Sequence, residues 1–145
     1  MNPKGKPIDS NQCVIISLPN GAYLQYFALE SQYMEMYFKL GYQVVLWNYR
    51  GYGQSTGTPS ISSSISDAQA VYNYCKIFLK LNPQISHGYS IGGPPAAVLA
   101  LTNKFKAVVI DRSFCNFVNV LIPNYIDRPR DITRFGKISQ NCYEI

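Results

Sequence analysis

Histidine occurs once in these 145 residues, at His87. Any mechanism that needs a cluster of imidazoles is therefore excluded from the sequence as it stands. Cysteine occurs four times, at Cys13, Cys75, Cys115 and Cys142, and never as C-x-x-C. Spacing of that kind speaks against a zinc framework or a disulfide scaffold and predicts reduced thiols. No apolar run approaches the ~20 residues needed to span a bilayer. The opening "MNPKGKPIDSNQ" lacks the apolar stretch of a signal peptide. The expected setting is intracellular, either cytoplasmic or peripheral to a membrane. No G-x-x-x-x-G-K-[ST] phosphate loop is present, and no nucleic-acid motif. Gly51 and Gly53 faintly suggest a dinucleotide loop, but no acid follows at the ~20-residue distance that loop requires. No cofactor and no metal are expected.

What is there is a packing sequence. Apolar residues make up 47% and charged residues only 14%, a balance that favours one folded core over disorder. A single domain spanning residues 1–145 is expected, with its core at about 13–120 and an irregular tail at 121–145. The net charge is +5, and the tail gathers Arg128, Arg130, Arg134 and Lys137 among two aspartates. That cluster suits a solvated tail or a weak contact with an anionic membrane surface. Nothing marks it for nucleic acid.

Apolar β-type runs alternate with helical periodicity. "CVIISL" (residues 13–18) predicts a buried strand ended by the turn residues "PNG". Helical spacing of Leu29, Tyr33, Met36, Tyr37 and Leu40 predicts a helix over about 26–40, stopped at Gly41. A second strand follows at 42–48, then a glycine-rich loop. Ile65, Ala68, Tyr72, Cys75 and Leu79 define one helix face, capped at Ser62, Ser63 or Ser64, with Asp67 placed in the first turn and Asn82-Pro83 as the stop. A short strand at 84–87, an apolar helix at about 92–102 and a last strand at 106–112 complete the series. Alternation of this kind predicts an α/β fold: three layers, a mostly parallel sheet of about four strands, helices on both faces. Ligands of such sheets bind at the carboxyl ends of the strands.

One strand end carries chemistry. In Gly88-Tyr89-Ser90-Ile91-Gly92 a serine stands at a strand-to-helix turn, with glycine two residues before and two after. A tight turn leaves no room for side chains at those two places, and the following helix offers free N–H groups. Ser90 is thus a candidate nucleophile, and the N–H of Ile91 a candidate oxyanion donor.

The stretches "VVLWNYRGYGQSTGTPS", "HGYSIGGPPAAVLA" and "AVVIDRSFCNF" resemble the α/β-hydrolase fold, and within it the abhydrolase-domain serine lipases of the phosphatidylserine and monoacylglycerol lipase type. The resemblance runs from about Cys13 to Val120. It implies hydrolysis of carboxylic esters, with acyl lipids as the substrate class. It also implies a second oxyanion donor in the loop after the first strand, here Asn20 or Gly21. That loop differs from the usual His-Gly type, since Pro19-Asn20 stand there, and Asn20 equally suits a turn cap.

The triad order of this fold is serine, acid, histidine. No histidine follows Ser90. The final strands of the family sheet are also missing, so the chain looks C-terminally truncated. His87 lies on the strand leading into the turn, where alternation points its ring away from Ser90; a packing or hydrogen-bonding role is expected. Asp111 has two readings: the triad acid, or a structural turn residue that pairs Arg112 or caps Ser113. Two functional readings stay open, a serine ester hydrolase and a catalytically inactive interaction subunit that keeps the fold. The expected strand order 2-1-3-4 leaves "AVVI" at an edge, open to self-association.

Overall fold

In the computed structural model, residues 11–113 are described, apart from 23 and 31. The basic tail, Cys115 and Cys142 fall in residues 114–145, so the expectations for that stretch lie outside the described residues. The elements are β1 (Gln12–Ser17), α1 (Leu24–Glu30), α2 (Gln32–Lys39), β2 (Gln43–Leu46), α3 (Ile61–Ile77), β3 (Asn82–Tyr89), a single 3-10 turn (Ser90–Gly92), α4 (Gly93–Thr102) and β4 (Ala107–Asp111). The four strands form one sheet in the order β2-β1-β3-β4. Every pairing is parallel.

Alternation along β3 separates the layers. Ser86 donates to the carbonyl of Ala96 in α4 at 2.9 Å. The next residue, His87, lies 3.0 Å from the hydroxyl of Tyr37 in α2. Successive side chains of a strand point to opposite faces, so α4 covers one face and α2 the other. α3 lies on the α4 face, where Cys75 meets Cys13 of β1 and the shared hydrogen bond, with burial, pushes the Cys13 thiol upward. The sheet is thus the middle of three layers. Its central strand β1 is buried from Cys13 to Ser17. That is why the sequence shows a continuous apolar run there and not an alternating one.

Several boundaries differ from the sequence reading. Helical structure begins at Leu24, and Leu40 lies past the end of α2, 63% exposed. α3 starts at Ile61, and its cap is Ser60: the Ser60 hydroxyl accepts from Ser63 N–H while Ser63 Oγ accepts from Ser60 N–H. This reciprocal pair satisfies two otherwise orphaned donors. It also moves Asp67 out of the first turn, and Asp67 instead pairs Arg50. Ile65, Ala68 and Cys75 are buried as their spacing predicts, but α3 ends at Ile77 and Leu79 is exposed. Asn82-Pro83 opens β3 and does not itself stop the helix. Cys13 pairs Pro83 and Val14 pairs Ile85, so Gln84 bulges out of the register. Proline has no N–H to give a ladder, and a strand start beside a bulge accommodates it. β4 flanks the sheet, with Val109 37% exposed.

Candidate active site

Ser90 comes directly after β3, at the carboxyl edge of the sheet. Its φ is 54°, in the left-handed region that a residue with a side chain rarely adopts. Tyr89 before it is still extended. The chain therefore reverses within one residue, from strand to helical turn. The flanking glycines make that reversal possible. A Cβ on Gly88 would fall 2.7 Å from the Cα of Gly93 and closer still to the carbonyl oxygen of Gly92. A Cβ on Gly92 would fall 2.6 Å from the carbonyl carbon of Ser17 and closer to its oxygen. Both neighbours are backbone, which cannot step aside. Gly93 is equally confined: a Cβ there would fall 2.5 Å from the Cβ of Ser113, which ties the segment after β4 to the start of α4.

The close approach of Gly92 to Ser17 and Leu18 makes the turn after β1 a neighbour of Ser90. That turn spans residues 19–22, closed by Ala22 N–H donating to Pro19 C=O at 3.3 Å. Gly21 has φ 71°, the requirement of a type II turn at its third position. Asn20 and Gly21 are both exposed. Ile91 is the second residue of the 3-10 turn, so its N–H has no carbonyl one turn behind it. The structure thus sets Gly92 against Ser17 and Leu18, the residues that lead into the turn holding Asn20 and Gly21.

Three hydrogen bonds join the segment after β2 to the loop after β1 and the start of α1. The Tyr49 hydroxyl donates to Leu18 C=O at 2.7 Å, and the Tyr52 hydroxyl to Asn20 Oδ1 at 2.6 Å. Leu24 N–H donates to Asn48 Oδ1 at 3.1 Å. Tyr49 is buried, which pushes its phenol pKa upward and keeps it a donor. The gripping loop is itself anchored. Arg50 forks onto Asp67 of α3, and Gly51 at φ 79° donates to Ser55 and Thr56 carbonyls. Sequence reading placed "NYRGYG" at the right strand end without finding these contacts. The available signal was the pair of tyrosines three residues apart in a glycine-rich loop.

His87 faces away from this edge. It is fully buried. Nδ1 lies against Tyr37 Oη, and the ring meets Tyr33 edge-to-face with centroids 4.9 Å apart. Nε2 has no polar partner among the described residues. Burial lowers the His87 pKa to about 4, against an opposing pull from Asp111. Neither nitrogen is bonded to Ser90. Asp111, at the end of β4, accepts a short hydrogen bond from Tyr33 and lies 3.6 Å from Arg112 Nε. Burial, then Asp111, pushes the Tyr33 phenol up to about 12. Arg112 has φ 49°, folds over the Tyr89 ring and donates to its hydroxyl at 3.0 Å. Tyr33 is the member of this cluster that periodicity assigned only to a helix face. Among the described residues, no group of three or more His, Cys, Asp or Glu is placed to hold a metal.

No family model matches the sequence, and no solved structure does. Several curated proteins do. The alpha/beta hydrolase domain-containing protein WAV2 of Arabidopsis thaliana is 34% identical over 92 residues, 59% of this chain and 30% of its own length. The lysophosphatidylserine lipase ABHD12 of Bos taurus is 43% identical over 53 residues, 37% of this chain and 13% of its own. An uncharacterized membrane protein of Saccharomyces cerevisiae is 29% identical over 119 residues, 78% of this chain and 40% of its own. The chain therefore spans well under half the length of these relatives. Among the described residues, no helix is long and apolar enough to cross a membrane. These similarities relate the chain to the abhydrolase proteins, and with its parallel sheet between helices it is α/β-hydrolase-like.

Proposed function

We propose that residues 1–145 form one α/β-hydrolase-type domain, with its core at about 13–120, that carries the nucleophile half of a serine ester hydrolase. Ser90 is the nucleophile. Its Oγ attacks the carbonyl carbon of an ester, its proton passes to a general base, and the carbonyl oxygen becomes an oxyanion. The Ile91 N–H and a donor from the turn at Asn20 and Gly21 hold that charge. Collapse breaks the ester C–O bond, the base returns its proton to the departing oxygen so that the alcohol leaves, and an acyl-serine remains for water to cleave. Acyl lipids are the proposed substrate class, as the printed activity of one relative suggests. The observation that carries the proposal is the left-handed Ser90 between two glycines that admit no side chain. Backbone strain of about 1–3 kcal/mol persists where the surrounding structure demands it, and such places cluster at active sites.

A specific observation favours a second reading, an inactive assembly subunit. His87 is engaged by Tyr37 and Tyr33 and is not bonded to Ser90. We read Asp111 in the same way, as held by Tyr33 and Arg112. In this second reading the outer edge of β4 takes a further strand, from a second copy or another chain. A fluorophosphonate probe separates the two. Labelling of the full chain that disappears in Ser90→Ala supports the hydrolase. Intact folded protein that neither labels nor cleaves a p-nitrophenyl ester supports the inactive subunit.

A further inference from the structure

The parallel topology gives the molecule two unlike ends. Each helix runs opposite to the strands, so α2, α3 and α4 all finish at the edge where the strands begin, away from Ser90. Large apolar side chains crowd that end. Tyr74, Ile77, Phe78 and Leu79, from the last turn of α3 and the residues after it, are 54%, 57%, 70% and 47% exposed. Tyr74 and Phe78 stack on one another with centroids 5.3 Å apart. A cluster of exposed aromatic and aliphatic residues of this kind signals a contact surface and not ordinary solvation.

Charge is segregated along the same axis. Every described lysine lies at this end: Lys39 closes α2, Lys76 and Lys80 bracket the apolar cluster, and Lys104 and Lys106 lie between α4 and β4. Of the described acidic side chains, Asp67 pairs Arg50, Asp111 pairs Arg112, and Glu35 pairs Lys39. The first two lie toward the opposite edge. Lys76, Lys80, Lys104 and Lys106 therefore share one end of the molecule with these apolar side chains.

We propose that this end docks on an anionic lipid bilayer surface. Aromatic rings and aliphatic chains settle at the headgroup level, while lysines extend around them to acidic headgroups. An acidic protein would use the lysines but leaves four large apolar side chains unexplained. A helix end followed by a turn also offers no open strand for β-pairing. The inference does not rest on the hydrolase reading, yet it bears on it. α3 has 17 residues and is about 25 Å long at the standard rise. Docking at its far end turns Ser90 to the aqueous side, so an ester would reach it from water and not directly from the supporting leaflet.

Vesicle flotation of the full chain tests this. Phosphatidylcholine vesicles are compared with vesicles containing about 30% phosphatidylserine. We expect at least about tenfold tighter binding to the anionic vesicles, weakening as salt rises. Lys76→Ala with Lys80→Ala should weaken it roughly fivefold for each lysine, and Phe78→Ser with Leu79→Ser by about tenfold or more. All four residues are exposed, so circular dichroism and the urea midpoint should be unchanged. Equal binding to both vesicle types, or none, overturns the proposal. So does loss of binding on changing Arg128 and Arg130 while both double variants bind normally. A dimer in sedimentation that Phe78→Ser dissociates, without flotation, would assign the surface to a second copy and equally overturn it.

Discussion

Acid should weaken this fold through one side chain. His87 is fully buried, its Nδ1 shares a proton with Tyr37, and its ring is walled by Tyr33. Charging it in place meets only a partial pull from Asp111, which burial outweighs, and its pKa is held at about 4. In the unfolded chain an imidazole titrates near 6.5. Between those values the unfolded state binds a proton that the folded state refuses, so stability rises with pH. The contribution is fully present above about 6.5 and is lost as pH falls toward 4. At about 1.4 kcal/mol per pKa unit the full loss is roughly 3 kcal/mol, and by pH 5 roughly 2 kcal/mol has gone. Domain stabilities are about 5–15 kcal/mol in total, so the effect is large. Urea unfolding at pH 7.5 and pH 5, followed by the fluorescence of Trp47, should show the midpoint fall by roughly 1 M. His87→Leu removes the titration, and whatever its own stability, its midpoints should lie closer together by that amount. Carboxylates titrate in both proteins and cancel in the comparison. Parallel pH dependences, or an NMR titration of His87 centred above pH 6, would refute the reasoning.

Gly92→Ala should destabilise the protein by about 2 kcal/mol or more, because its Cβ would fall on the backbone of Ser17. Gly21→Ala meets open space at φ 71° and should cost only about 1 kcal/mol of backbone strain; equal costs in chemical denaturation would contradict the crowded turn. Tyr52→Phe keeps the ring against Tyr49 and deletes only the bond to Asn20. Its unfolding free energy should stay within about 1 kcal/mol, while hydrogen exchange at the Ala22 amide speeds up about fivefold. Unchanged exchange would mean that the turn after β1 holds itself.

The alternation of strands and helices and the Ser90 turn were legible because they rest on local rules, whereas the strand order came with the family resemblance. A continuous apolar run means a strand buried on both faces, and only glycine fits where Gly88 and Gly92 stand. What escaped depends on tertiary partners. Leu79 continues the α3 periodicity, yet the helix ends before it and the residue is exposed; periodicity does not reveal where a surface stops being covered. Ser60 and three later serines compete for the same cap, and the choice falls to the pair whose hydroxyls can reach each other's N–H. Tyr33, Tyr49 and Tyr52 look like packing residues in sequence. Their hydroxyl partners lie 78, 31 and 32 residues away, beyond the reach of any local pattern.

The place of β1 in the middle of the sheet has a consequence for synthesis. It precedes both of its partners in the chain, yet it needs a neighbour on each side. β2 arrives about thirty residues later, but Val14 waits for Ile85, about seventy residues further on. At roughly 5–20 residues per second, "CVIIS" spends several seconds with one edge bare. During that interval the nascent chain presents its most apolar segment unpaired, which makes it a natural client for a chaperone holding hydrophobic strands. Mutations that slow β3, such as changes around Pro83 and its bulge, would lengthen that wait and lower the yield of soluble protein without altering the finished fold.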